Sequence, residues 1–98
     1  VKDLGFEWDD AKADANLRKH GVSFREAMTA FNEGDAPVNG DVLHSLREDR
    51  FIIVGVSEQH RLITVAFTYR DEETVRIISA RRSNRREQQL YEQETRIH

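Results

Sequence analysis

"RFIIVGVSEQHRLITVAFTYRDEETVRIISA", residues 50–80, decides the fold. Three runs, "RFIIVGVS", "RLITVAFTY" and "TVRIISA", are rich in β-branched and aromatic residues. Such side chains suit a pleated, half-buried surface. The joints between them, "EQHR" and "RDEE", are short and polar. Joints this short connect strands that run in opposite directions. The segment therefore predicts an antiparallel meander, and Ile63, Val65, Phe67 and Tyr69 alternate along its middle strand and so share one face.

Upstream, "LGFEWD" reads as a short first strand. Asp9 or Asp10 then caps a helix running to about His20, whose alanines and Leu17 favour helix. Gly21 follows as a C-terminal cap, with Val22 placed for the hydrophobic contact of that motif. "SFRE" is a capping box, with Ser23 and Glu26 reciprocally placed. Phe24, Ala27, Met28 and Phe31 fall on one face of a second helix that Gly34 ends. Residues 35–49 hold the only proline and read mostly as loop, with a short strand near Val38. Downstream, Ser83 or Asn84 caps a last helix, "NRRE" being the weaker capping-box match. Leu90, Tyr91 and Ile97 are that helix's only apolar anchors, so it docks lightly or through a partner. The order is strand, two helices, three or four strands, helix. It predicts an α+β fold in which a small antiparallel sheet packs against helices.

The chain has 98 residues, which is expected to make one domain over 1–98 with a modest core. Charged residues are 34% of it and hydrophobic residues 38%. A surface that polar points to a thin two-layer fold. No cysteine is present, which excludes a disulfide framework and a thiolate zinc site. No apolar run approaches the roughly 18 residues of a membrane span. The opening "VKDLGFEWDD" lacks the basic end and apolar core of a signal peptide. A soluble cytoplasmic protein is the expectation, with no membrane partner.

The formal net charge of −3 hides a segregation. Residues 1–48 carry ten acids and six bases, whereas residues 49–98 carry eight acids and nine bases. All nine of those bases are arginine. Arginine's planar fork grips phosphate or carboxylate in a two-pronged way that lysine cannot match. The densest stretch is "RIISARRSNRRE", residues 76–87. There Arg81, Arg82, Arg85 and Arg86 sit where a strand hands over to a helix. A helix start already carries partial positive charge, so arginines gathered there are unfavourable until an anion arrives. The plainer reading pairs them with Glu87, Glu92 or the acidic first half, and for any single arginine that reading is the stronger. For the cluster, a polyanion site is favoured. The scattered glycines form no phosphate-cradling loop for a small metabolite. Nucleic acid fits better, because it asks for several phosphate contacts spread over a face. Arg50, Arg61, Arg70 and Arg76 lie on or beside the meander and extend the track.

Proton-transfer groups are scarcer. "NLRKHG", residues 16–21, ends the first helix with Lys19 and His20, and Asn16 shares a face with His20. Histidine exchanges protons near neutral pH. A histidine in a last helical turn also simply suits the helix dipole, and taken alone that reading is the stronger. His44 and His60 fall in expected loops and His98 is terminal. Glu58 is a possible base, though an ordinary turn residue is the stronger reading. Trp8 is expected in the core or at a sheet edge. No histidine pair has helical metal-ligand spacing, so neither a metal nor another cofactor is expected.

Three blocks carry a resemblance. "FEWDDAKADANLRKHGVSFREAMTAF", "EDRFIIVGVS" and "TYRDEETVRIISARRSNRREQQLYE" resemble the BrnT family of toxins, over roughly residues 6–92. "NLRKHGVSF" and "RIISARR" are the specific parts; the stretch "NEGDAPVNGDVLHSLRED" is the loosest and carries no role. The resemblance implies a RelE/ParE-like fold and a ribonuclease toxin of a type II toxin–antitoxin pair. It implies a BrnA-like antitoxin with a ribbon-helix-helix part as partner. The matching motif positions are Lys19, His20, Arg70, Arg81 and Arg82.

The arginine pattern and the resemblance agree on RNA as substrate; with no metal-ligand spacing in the sequence the expected cleavage is metal-independent, and the resemblance implies that it inhibits translation. In that chemistry the ribose 2′-hydroxyl attacks the neighbouring phosphorus and leaves a 2′,3′-cyclic phosphate. It needs a proton-transfer group and fixed positive charge at the phosphate. His20 or Glu58 is the candidate for protons. Lys19, Arg70, Arg81 and Arg82 are the candidates for catalytic charge, and Arg50, Arg61, Arg76, Arg85 and Arg86 for RNA binding. Two rival classes stand beside this reading: a non-catalytic toxin that binds a protein target, and a nucleic-acid-binding module without activity.

Overall fold

The structure is a computed structural model that describes residues 5–32, 38–40 and 50–97. Its elements are β1 (Gly5–Glu7), α1 (Asp10–His20), α2 (Phe24–Thr29) with a 3-10 turn at Ala30–Asn32, β2 (Val38–Gly40), β3 (Arg50–Val56), β4 (Leu62–Asp71), β5 (Thr74–Arg82) and α3 (Arg85–Ile97). The Asp9 side chain caps α1 by accepting from the Lys12 amide at 3.0 Å. Gly21 ends that helix in the left-handed region, φ 69°, with its N–H donating to the Leu17 carbonyl. A glycine takes this conformation without Cβ strain. The next residue, Val22, is fully buried, as the cap motif asks.

Among the described residues five strands form one sheet in the order β1-β5-β4-β3-β2. The meander β2 to β5 is antiparallel throughout. The first strand joins it in parallel beside β5, with Phe6 opposite Val75. The expectation of an antiparallel sheet thus holds for the meander, and the outer β1 pair makes the whole sheet mixed. Parallel pairing follows from connectivity: β1 and β5 are far apart in sequence, so no hairpin constrains their direction.

One face of the sheet carries the core. Ile53, Ile63, Val65, Phe67, Val75, Ile77 and Ala80 meet Val22, Phe24, Ala27 and Ala30 from the helical side. Burying a side chain such as Phe24 or Phe67 contributes roughly 1.5–3 kcal/mol each. Trp8 packs edge-on to Phe24 at 6.0 Å, which makes it a core-edge residue as expected. Phe31 contacts Phe67 edge-on at 4.9 Å, and Tyr69 closes the aromatic row against Phe51 at 5.4 Å. Tyr69 keeps its ring contact with Phe67 on the predicted face yet is exposed.

Asn16, on the inner face of α1, is buried. Its amide nitrogen donates to the Val22 and Ala80 carbonyls at 2.9 and 2.8 Å, and its oxygen accepts from the Ala80 amide at 3.1 Å. One side chain therefore staples the end of α1 to β5. The last helix is held more lightly: Leu90 is half exposed. Gly34 and residues 41–49 lie outside the described residues, as do His44 and His98. Among the described residues no helix is long and apolar enough to cross a membrane.

Candidate functional site

Strand alternation separates the arginines that the sequence placed together. Arg81 is opposite Thr64 and Arg82 opposite Ile63, so these neighbours point to opposite faces of the sheet. Arg81 turns toward α3. Its two terminal nitrogens donate to both oxygens of Glu87 at 2.8 and 2.7 Å. Glu87 also accepts from the Asn84 amide and the Thr64 hydroxyl. Burial alone would raise the Glu87 carboxyl, but these donors and the Arg81 charge outweigh it and hold it below the usual range. The plainer reading, an arginine paired with Glu87, therefore describes Arg81.

Arg82 faces the other way, and among the described residues it makes no ion pair. It lines an open cleft of about 670 Å³ at the end of the sheet, between the β3–β4 turn and α3. The turn contributes His60 and Arg61, and α3 contributes Tyr91 and Glu92. This volume lies within the range of small-molecule pockets and admits a nucleotide.

Arg61 is held from behind. Its Nε donates to Glu26 Oε2 at 3.0 Å, one terminal nitrogen donates to Glu26 Oε1, and the same nitrogen reaches the Gly21 carbonyl at 3.1 Å. The Glu26 side chain is only 1% exposed. Burial pushes its carboxyl up, while hydrogen bonds from Arg61 and Ser57 and the charges of Arg61 and Arg82 pull it below the ordinary value. Arg61 is correspondingly more firmly protonated through its Glu26 bond. The N3 glutamate of "SFRE" thus serves the cleft: Ser23 caps the Glu26 amide at 2.9 Å, and the carboxylate turns inward to Arg61.

The remaining candidates fall into two places. Lys19 is exposed and His20 half-buried at the end of α1. Neither is part of the cleft wall, although Gly21 beside them receives the Arg61 bond. Glu58 is exposed on the β3–β4 turn, where its amide donates to the Thr29 hydroxyl at 2.9 Å. At the far end of the sheet Arg70 and Arg76 both pair with Glu7, at 2.9 and 2.8 Å. The bonds from Arg76 and then Arg70 hold the Glu7 carboxyl low. Arg50 lies in the same row, opposite Thr68, with its Nε buried and unbonded among the described residues. About 3.3 Å per strand residue puts Arg76 roughly 20 Å from Arg82 along β5. The expected continuous track is therefore two groups, with Arg85 and Arg86 exposed on the first turn of α3 near the cleft group. Among the described residues no three His, Asp or Glu side chains converge as metal ligands.

The sequence placed His60 in a loop, Tyr91 among the helix anchors and Glu92 among the arginine partners, and gave none of them a place in the site. A histidine beside an arginine in a tight turn was the available signal for the first. The other two are visible as cleft residues only once α3 is folded against the turn.

Comparison with known proteins bears on the fold and the family. Residues 8–87 match the family model described as the ribonuclease toxin BrnT of type II toxin–antitoxin systems. The chain belongs to the BrnT family. The crystal structure of the Brucella abortus ribonuclease toxin BrnT superposes with a TM-score of 0.63 at 23% identity, covering 87% of this chain and 100% of that one. No curated protein sequence matches the chain.

Proposed function

We propose that this chain is a metal-independent endoribonuclease toxin acting in the cytoplasm. Its Arg61–Arg82 cleft binds the scissile phosphate, and cleavage of message inhibits translation. Family membership supports a ribonuclease toxin with an antitoxin partner. The observation that carries the site is the cleft, where one guanidinium is locked by Glu26 and a second makes no ion pair among the described residues. In the reaction the 2′-hydroxyl attacks phosphorus, negative charge grows on the phosphate oxygens, and the 5′ oxygen leaves with a proton. Preorganised cations stabilise that charge without reorganising. Arg82 is the cation best placed for it, and Arg81 acts from the other face by fixing the start of α3. Lys19 and His20 flank the site, and Arg85 and Arg86 guide the strand. Arg50, Arg70 and Arg76 form a second group suited to more distant phosphates.

The partner in this reading is a BrnA-like antitoxin with a ribbon-helix-helix part. Its acids meet Arg82, Arg85 and Arg86, since Glu87 already neutralises Arg81. The test is incubation of the purified chain with RNA and EDTA, with analysis of the ends. Products with 2′,3′-cyclic phosphate are expected, and Arg82→Ala should lower cleavage by ~10²-fold or more. Intact RNA, bound but uncut, would sink the enzymatic reading in favour of a binding module.

A further inference from the structure

We infer that His60 is the proton-transfer residue of this cleft, acting as the base that takes the ribose 2′-hydroxyl proton. The inference rests on the ribonuclease reading above and names the group that reading leaves open. Three observations carry it.

First, His60 is the histidine in the cleft wall, which it lines together with Arg61 and Arg82. Second, its backbone has φ 62°, a left-handed conformation that is sterically unfavourable for a residue with a Cβ. Asparagine or glycine would relieve it. Third, the turn that holds this strain is clamped. The Ser57 amide donates to the Arg61 carbonyl at 2.8 Å and the His60 amide to the Ser57 carbonyl at 2.9 Å. The Ser57 hydroxyl donates to Glu26 at 2.6 Å, so the turn is tied to the carboxylate that fixes Arg61. Strained backbone held by its surroundings clusters at functional sites. The effect here is to present an imidazole and a guanidinium at adjacent positions of one rigid turn. The groups around it are Arg61 and Glu58 on the turn, Arg82 from β5, and Tyr91 and Glu92 from α3.

The step balances without an added oxidant or cofactor. The imidazole accepts the 2′-hydroxyl proton as the O2′–P bond forms. The P–O5′ bond breaks, and solvent water protonates the departing 5′ oxygen. Arg61 and Arg82 hold the phosphate oxygens throughout. Glu26 is a positioning residue: it touches no substrate and acts by fixing Arg61.

The test uses the full chain and an RNA oligonucleotide in EDTA. His60→Asn keeps the left-handed turn, because asparagine tolerates it. Cleavage should fall by ~10²-fold or more. The acidic limb of the kcat/KM–pH profile should vanish, while affinity for a 2′-deoxy oligonucleotide stays unchanged and melting temperature holds or rises as the strain is relieved. His60→Gly should behave alike and recover partly when imidazole is added. Near-wild-type cleavage by His60→Asn overturns the inference and leaves the ribonuclease reading standing. Loss of the alkaline limb instead overturns the assignment as base. Absence of cleavage by the unaltered chain overturns both.

Discussion

The starts of α2 and α3 carry the same four-position pattern, "SFRE" and "NRRE", and use it differently. At α3 the box closes both ways: the Glu87 amide donates to Asn84 Oδ1 at 2.9 Å, and the Asn84 amide donates to Glu87 Oε1 at 2.8 Å. The Glu87 side chain, 17% exposed, then takes Arg81 as well. At α2 only the Ser23 half forms, and Glu26 goes to Arg61 and Ser57. The weaker match in sequence makes the complete box. Packing explains the inversion. Phe24 and Ala27 sink α2 into the core, which draws the N3 glutamate inside, where its charge demands a cationic partner. The first residues of the last helix, Arg85 to Gln89, include no apolar side chain, so its start is fixed by polar contacts.

The largest expected effect comes from breaking the inner pair. Arg61→Met strands a buried carboxylate and should cost about 3–5 kcal/mol in urea unfolding. Adding Glu26→Leu should restore much of that loss, because an apolar pair of similar volume needs no counter-charge. If the double variant is no more stable than Arg61→Met, burial of Glu26 is not the cause of the pairing. Glu87→Ala comes next, at roughly 2 kcal/mol, since it removes a charge-assisted bond and a cap together. Glu87→Gln keeps an acceptor for the Asn84 amide and should lose less. Ser23→Ala and Asn84→Ala should each cost about 1 kcal/mol. They differ in where the loss is read: Ser23→Ala in global unfolding, Asn84→Ala in faster amide exchange confined to α3.

Acid titration sharpens the same contrast. The Glu26 and Glu87 carboxyls lie below the ordinary 4.5 in the folded chain. Their stabilisation is therefore complete above the unfolded value and is lost as pH falls through the lower folded values. Melting temperature should drop as pH falls below about 4.5, and Glu26→Gln and Glu87→Gln should each flatten that slope. The smallest effect belongs to Glu7→Gln. Its partners Arg70 and Arg76 are exposed, and melting temperature should scarcely move.

Much of the fold was written in local pattern. Alternating Ile63, Val65 and Phe67 fixed a strand and its inner face, and Gly21 fixed the end of α1, because both signals act within a few residues. The parallel seat of β1 was not legible, since its partner lies at the other end of the chain. For the site, the sequence determined the supply: many arginines late in the chain, few proton-transfer groups, and a family pattern over most of its length. Tertiary structure decided the use. Strand alternation sent Arg81 to Glu87 and Arg82 into the cleft, and the fold brought His60 and Arg61 of the β3–β4 turn to the same cleft. A row of arginines in sequence is one cluster only until the pleat assigns each to a face. Which of them meets an acid, and which is left for a phosphate, depends on residues distant in sequence that only folding brings near.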